Sequence, residues 1–305
     1  MRMRFGRPDI SRYAERFDLP EADRGPSVTF LGVTTLLLRD ATSAVMTDGF
    51  FSRPSLAAVG TRRIAPNPTR VDAALARAGV DSLDAIVPVH THFDHAMDTA
   101  LVAARTGARL VGGASAARIG LGGGLPEERI TRAASGDRIA CGGFTLTLIG
   151  SRHCPPDRYP GEVAEPVVPP VRASAYRCGE AWSLLVEHTG GRTALVQGSA
   201  GFVPGALDGY SAEVVYLGVG QLGPRGADYI RDYWRQTVGA VGARRAVLVH
   251  WDDFFRPLDE PPRALPYLGD DLDAAMGVLD RLSAEQGVPV HFPSLWRRED
   301  PWAGL

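Results

Sequence analysis

Lysine is absent from this chain, and all 33 basic residues are arginine. Set against 35 acidic residues, they leave a net charge of −2 with no long run of one sign. That excludes the dense basic field a nucleic-acid partner requires. With abundant alanine and glycine, the arginine skew reads as genome composition rather than as a phosphate-binding design. Cysteine is scarce: Cys141, Cys154 and Cys178 are odd in number and show no CxxC spacing. A disulfide framework is therefore not expected, which favours a reducing compartment. No apolar run approaches the roughly 18 residues that a bilayer span needs. The opening MRMRFGRPDISRYAERF has no hydrophobic signal core. The expectation is a cytoplasmic protein with no transmembrane segment and no nucleic-acid partner. At 305 residues and 45% hydrophobic content, the chain can bury one large core or two modest ones.

What is present is a concentration of metal-ligand chemistry. His90-Thr91-His92-Phe93-Asp94-His95 follows Asp84–Val89, which reads as a short buried strand. Ala96 to Thr106 then has helical spacing, with Gly107 as its stop. Neutral imidazole and carboxylate are the usual ligands of zinc, iron and manganese. His90 and His92, at i and i+2 on extended backbone, project the same way and can reach one ion. Asp94 and His95 lie past the bend and can serve a second. The pattern points to a two-metal hydrolytic site, whose ions sit about 3.5–4 Å apart.

HTHFDH resembles the HxHxDH signature of the metallo-β-lactamase superfamily. The longer HTHFDHAMDT, which includes Asp98, is similar to the variant in the branch of ascorbate-6-phosphate lactonases and N-acyl-phosphatidylethanolamine phospholipase D. Upstream, Val45-Met46-Thr47-Asp48-Gly49-Phe50-Phe51-Ser52-Arg53-Pro54 resembles a stretch of the same branch, and Arg63–Pro68 falls where its Pro-rich link lies. The resemblance is strong over residues 27–100 and thinner beyond them.

Along the rest of the chain, Ser27–Arg39 and Thr42–Thr47 read as paired strands turning at Asp40-Ala41. Thr69–Ala78 reads as a helix and Ala108–Val111 as a strand. Gly122-Gly123-Gly124 lacks the context of a phosphate loop and reads as a plain connection. Asp137–Ile149 is a hairpin turning at Cys141-Gly142-Gly143, and residues 155–170 hold six prolines with no periodicity. That Pro-rich stretch fits a loop over the site mouth better than an interdomain linker. Trp182–Glu187, Thr193–Val196, Glu213–Val219 and Arg245–Val249 read as strands. Ala227–Val241 and Asp270–Glu285 read as helices. This α/β pattern implies two sheets packed face to face and covered by helices. The resemblance implies the four-layer αβ/βα sandwich of the metallo-β-lactamase fold as one domain over 1–305, with an N-terminal arm (1–26).

The resemblance also implies the remaining ligands. His153 heads the Pro-rich loop as the family's third histidine does, and His250 in Val-Leu-Val-His-Trp-Asp resembles its last. One ion would then be held by His90, His92 and His153, and the other by Asp94, His95 and His250. Asp94 would also hold the reacting hydroxide in line. Where the family carries a bridging aspartate, this chain has Ser199. A neutral hydroxyl bridges two cations poorly, so the expectation is one or two divalent ions, zinc first with manganese or iron as alternatives. Asp252 or Asp253 could supply the missing charge, ordinary polar loop positions being the alternative. Asp48 and Asp98 fit the role of orienting ligand imidazoles, with helix or turn capping as the alternative. His188 and His291 are read as structural or exposed.

The implied function is metal-dependent hydrolysis, a metal-bound hydroxide attacking an ester, lactone or phosphodiester. The rival is a degenerate member that binds metal or ligand without hydrolysis. A β-lactamase is disfavoured by the longer motif. The substrate is expected to be a small molecule, acyl- or lipid-like if Phe50, Phe51, Tyr159, Trp251, Phe254 and Phe255 line an apolar mouth rather than the core.

Overall fold

The computed structural model describes residues 4–305. One sheet joins seven strands in the order β14-β1-β2-β3-β4-β5-β6. Its members are β1 (Ser27–Phe30), β2 (Leu36–Arg39), β3 (Ala44–Thr47), β4 (Ala85–Val87), β5 (Arg109–Gly112), β6 (Ile130–Arg132) and β14 (Arg298–Glu299). The second runs β13-β12-β11-β10-β9-β8-β7. It contains β7 (Arg138–Cys141), β8 (Phe144–Ser151), β9 (Ala181–His188), β10 (Thr193–Gln197), β11 (Val214–Gly218), β12 (Arg245–Val249) and β13 (Val290–His291). In each sheet an antiparallel set continues into a parallel one: β3 to β6 are parallel in the first, β10 to β13 in the second.

Alternation along the strands assigns each face a core. Leu36 and Leu38 enter the cluster shared with Leu146, Leu148, Leu184 and Val186 of the opposite sheet. Leu37 between them packs outward with Val71, Leu75 and Val102. Ala85 and Val87 face inward and Ile86 outward in the same way. Both faces are therefore buried, which is why these strands read as continuous apolar runs. The outer helices here are α2 (Pro68–Ala78), α4 (Thr99–Thr106) and α5 (Ala114–Gly122), following the short α1 (Leu56–Thr61) and α3 (Phe93–Ala96). Against the second sheet lie α6 (Ala227–Trp234) and α7 (Leu272–Gln286). The expected four-layer sandwich is the observed one.

Three local expectations need correction. Ser27–Arg39 is two strands, not one: it turns back at Gly32 (φ +92°) and Val33 (φ +55°), with the Thr35 N–H donating to the Gly32 carbonyl at 2.8 Å. The Ala96–Thr106 helix is broken into α3 and α4, so that Asp94 and His95 already lie on helical backbone. The helix over Ala227–Val241 ends as α6 at Trp234 and continues as a π-turn over Arg235–Gly239. α5 was not anticipated, because alanine and glycine dominate it and its apolar stripe is weak. No helix of the described residues is long and apolar enough to cross a membrane.

The Pro-rich stretch folds onto the first sheet's helices. Its Val163 N–H donates to Ser115 Oγ at 3.2 Å, and Ile64 and Val171 form a bridge. A Cβ on Gly122 would lie 2.0 Å from the Val167 carbonyl oxygen, so this glycine permits the close approach. Gly122 thus has a packing role beyond that of a plain connection.

Candidate metal centre

The chain leaves β4 through Pro88 and Val89 to His90, and Asp48 at the end of β3 fixes that exit. The Asp48 N–H donates to the Val87 carbonyl at 3.0 Å, and Asp48 Oδ1 accepts from the Val89 N–H at 2.8 Å. His92 is the N-cap of α3, its carbonyl accepting from the N–H groups of His95 (3.0 Å) and Ala96 (2.8 Å). The turn so formed places Asp94 and His95 beside the two preceding histidines. His153 follows β8, and His250 follows β12 with a left-handed backbone (φ +60°). The His250 N–H donates to the Val33 carbonyl at 2.7 Å, which ties the second sheet's ligand to the Gly32-Val33 turn. A Cβ on Gly220 would lie 2.6 Å from His250 Nδ1, so only glycine leaves room for the ring.

Five imidazoles and one carboxylate converge in this way. His90, His92 and His153 form one group whose ligand atoms lie within 4.8 Å of one another, and Asp94, His95 and His250 form the other. The groups adjoin, with the His90 and His95 ring centroids 3.9 Å apart. His90 Nε2 faces His92 Nδ1 at 3.1 Å. Asp94 Oδ2 lies 3.7 Å from His95 Nε2 and 3.5 Å from His250 Nε2.

Electrostatics divides the histidines. Burial, reinforced by the neighbouring rings, pushes His90 well below its ordinary pKa. Burial lowers His92 as well, and with the nearby His92 it takes His153 down to about 4. These three are neutral lone-pair donors at physiological pH. Burial opposes the charge on His95, yet Asp48 and Asp94 outweigh it and raise its pKa. Asp94, against its own burial, is held far below the usual carboxylate range by His95 and His250. Asp48 Oδ2 lies 2.8 Å from His95 Nδ1 and meets Thr34 Oγ1 in a short contact. Asp48 therefore fixes the ring and leaves Nε2 as its free donor.

The donor set fits a divalent ion. His95 Nε2, the nitrogen that faces Asp94, is buried without a hydrogen-bond partner, and His90 Nε2 and His92 Nδ1 meet only each other. Such groups are seldom left unsatisfied in one place. Neutral imidazoles with one ionised carboxylate are the ligand types zinc, iron and manganese take.

Ser199 follows β10 and is buried against the same strand ends. Its Oγ accepts from the Cys154 N–H at 2.9 Å, next to His153. A Cβ on Gly198 would meet Val89 at 2.2 Å, and one on Gly201 the Arg152 carbonyl at 2.2 Å. The serine thus ties the His153 segment to the loop and contributes no charge.

Asp252 and Asp253 do not make up the deficit. Asp252 Oδ1 accepts from the Val33 N–H at 2.8 Å and Oδ2 pairs with Arg53 at 2.6 Å, while Asp253 pairs with Arg7 at 3.2 Å. Asp98 is also reassigned. Its oxygens accept from the N–H groups of Phe51 (2.8 Å) and Ser52 (2.6 Å) and from Ser52 Oγ (2.6 Å), so it holds the 51–53 segment and touches no imidazole. His188 pairs with Asp40 and His291 with Asp18, away from the cluster. Of the aromatics, Phe50, Phe51 and Trp251 belong to the core. The half-buried Tyr159 and Phe254 flank the site, their rings 6.2 Å from His92 and 5.6 Å from His250. Two polar neighbours had no sequence signal. Thr34 lay inside a presumed strand, and Asp157, with Oδ1 3.2 Å from His92 Nε2, lay in a loop without periodicity.

Asp98 supplies a pH prediction. Burial pushes its pKa from 3.8 up to about 6 against the pull of its donors. A folded-state pKa above the unfolded value means the folded state binds the extra proton. The stabilisation is complete below about pH 4 and is lost as pH rises through about 6. The stability of the wild type relative to D98N should fall across that window in thermal melts. A flat difference from pH 4 to 7 would contradict the assignment.

No family model and no curated protein matches the sequence. Solved structures do. CmlA, a diiron β-hydroxylase from Streptomyces venezuelae, is 14% identical with a TM-score of 0.55, over 92% of this chain and 55% of that one. The chain thus spans about half the length of CmlA. The metallo-β-lactamase fold protein YhfI from Bacillus subtilis is 13% identical with a TM-score of 0.50, over 92% and 99% of the two chains. The isothiocyanate hydrolase from Delia radicum gut bacteria is 16% identical with a TM-score of 0.51, over 88% and 96%. At these identities the likeness is one of fold.

Proposed function

We propose that this chain, which has the metallo-β-lactamase fold, is a metal-dependent hydrolase of small esters or lactones. The observation that carries the reading is the convergence of His90, His92, His153, Asp94, His95 and His250 from three separate segments into two adjoining ligand groups. His90, His92 and His153 would hold one ion, and Asp94, His95 and His250 the other. A divalent ion so held polarises a carbonyl oxygen and makes a coordinated water acidic near neutral pH.

The chain's own residues supply the rest. Asp94, ionised and facing both His95 and His250, is placed to accept a hydrogen bond from an attacking water and so to orient it. Asp48 and Thr34 keep the His95 ring from turning. Half-buried Tyr159, Phe254 and Phe255 offer an apolar rim for an acyl group. Among the described residues no arginine is hydrogen-bonded to a ligand side chain, and Arg53 and Arg7 are ion-paired to Asp252 and Asp253. The preference for a carbonyl substrate over a phosphodiester rests on that apolar rim, since Arg152 and Arg158, beside His153 and Asp157 in sequence, are exposed and form no ion pair among the described residues. The longer HTHFDHAMDT motif supports placement near the lactonase and phospholipase branch. With one carboxylate among six ligands, the second ion should bind more weakly than the first.

The test strips the protein with a chelator and reloads it with zinc, manganese or iron(II). Metal content is then measured, together with turnover of ester, lactone and phosphodiester panels. One to two ions per chain with metal-dependent ester or lactone turnover is the expected result. No bound ion after reloading would sink the reading and favour a member that binds ligand without hydrolysis.

A further inference from the structure

We propose that Asp157, carried by the Pro-rich loop, is a positioning residue for the metal centre that fixes His92 by accepting a hydrogen bond from its Nε2–H. The inference rests on the metal-centre reading above. His92 Nδ1 faces His90 Nε2 at 3.1 Å and so points into the first ligand group. A neutral imidazole with its lone pair at Nδ1 carries its proton at Nε2. That nitrogen is buried without a hydrogen bond of good geometry, and the acceptors beside it are Asp157 Oδ1 at 3.2 Å and the Tyr159 carbonyl. The arrangement repeats on the first group what Asp48 does for His95 on the second. A carboxylate behind a ligating histidine holds its tautomer and raises its basicity.

Asp157 is itself held. Its Oδ1 accepts from the Tyr159 N–H at 3.0 Å. Cys178 Sγ lies within 4.8 Å of both the His92 and Asp157 ligand atoms. Burial, with Asp157 adding to it, pushes that thiol's pKa up, so it faces the carboxylate as a donor. The backbone closes the circuit. The Cys178 N–H donates to the Tyr159 carbonyl at 2.8 Å, and the Thr91 N–H, between the two ligand histidines, donates to the Cys178 carbonyl at 2.8 Å. Loop, thiol and ligand run are therefore one connected unit. Behind the His92 ring, Asp157 would also supply part of the negative charge that Ser199 does not provide.

The test uses the full-length protein loaded with cobalt(II), whose visible absorption reports ligand geometry, and zinc affinity by chelator competition. D157A should weaken zinc binding about 10–100-fold, the range for outer partners of ligating histidines, and shift the cobalt bands. D157N, which keeps an acceptor oxygen, should fall between D157A and wild type. C178A should shift both readouts in the same direction by less, and should add nothing in the D157A background. Should D157A not fold, D157N and C178A carry the same two readouts. Unchanged affinity and spectrum, or weaker binding with an unchanged spectrum, overturns the proposal and leaves Asp157 as a turn residue. If the wild type binds neither ion, the metal-centre reading itself fails.

Discussion

Asp94→Asn is expected to lower kcat/KM on any hydrolysed substrate by roughly 10³-fold, with loss of at least one bound ion per chain. Asp94 is the only carboxylate in the two ligand groups. It faces His95 Nε2 at 3.7 Å and His250 Nε2 at 3.5 Å, and those imidazoles hold it ionised despite its burial. Asparagine has the same shape, so packing is kept while the charge that attracts a cation is removed. Each factor of ten in rate corresponds to about 1.4 kcal/mol, and loss of an anionic ligand is worth several kcal/mol of charge stabilisation. Removing a histidine outside the cluster should do far less. His188, paired with Asp40 at 2.9 Å, is the matched control. Kinetics and metal analysis on D94N and H188A would decide the matter. Full ion content in D94N with more than a tenth of wild-type activity would remove Asp94 from the mechanism.

Much of the ligand run was legible because its logic is local. His90, His92, Asp94 and His95 sit within one strand-to-helix turn, and residue type with spacing is enough to suggest a shared ion. Asp48 was legible from the motif and does meet His95, at 2.8 Å. The layered fold followed from strands whose neighbours alternate between two cores, as Leu36, Leu37 and Leu38 do. What stayed hidden depends on contacts between segments distant along the chain. Asp98 carries the same residue type as Asp48, yet it accepts from Phe51 and Ser52 instead of an imidazole. Nothing in its spacing separates those roles. Asp157 lies where prolines erase any periodic signal, and only the docking of its loop brings it to His92. The Gly32-Val33 turn was read through as strand because both flanks are apolar. Its cause is a distant acceptor, Asp252, on the Val33 N–H.

That same acceptor gives the largest expected effect on stability. D252A should destabilise the metal-free protein by about 3–5 kcal/mol, the usual cost of leaving one partner of a buried ion pair behind. Arg53 and Asp252 are each 3% exposed in their side chains and pair at 2.6 Å. The guanidinium passes so close to Gly32 that a Cβ there would lie 2.0 Å from Arg53 Nη2. Its other contacts, to the Asp253 and Arg256 carbonyls at 3.4 and 3.3 Å, are too long to carry a full charge alone. Alanine at 252 would strand that charge and also leave the Val33 N–H without its acceptor. Replacing both partners with apolar residues of similar size, as in R53M/D252L, should recover part of the loss, because no buried charge remains. Recovery should be incomplete, since Val33 stays unsatisfied. The damage should also reach the metal centre, because the Val33 carbonyl holds the His250 backbone at 2.7 Å. Denaturant titrations of the three metal-free proteins test the order wild type, double variant, D252A. A cost below about 1 kcal/mol for D252A would mean that water reaches Arg53 and that the pair does not anchor the His250 loop.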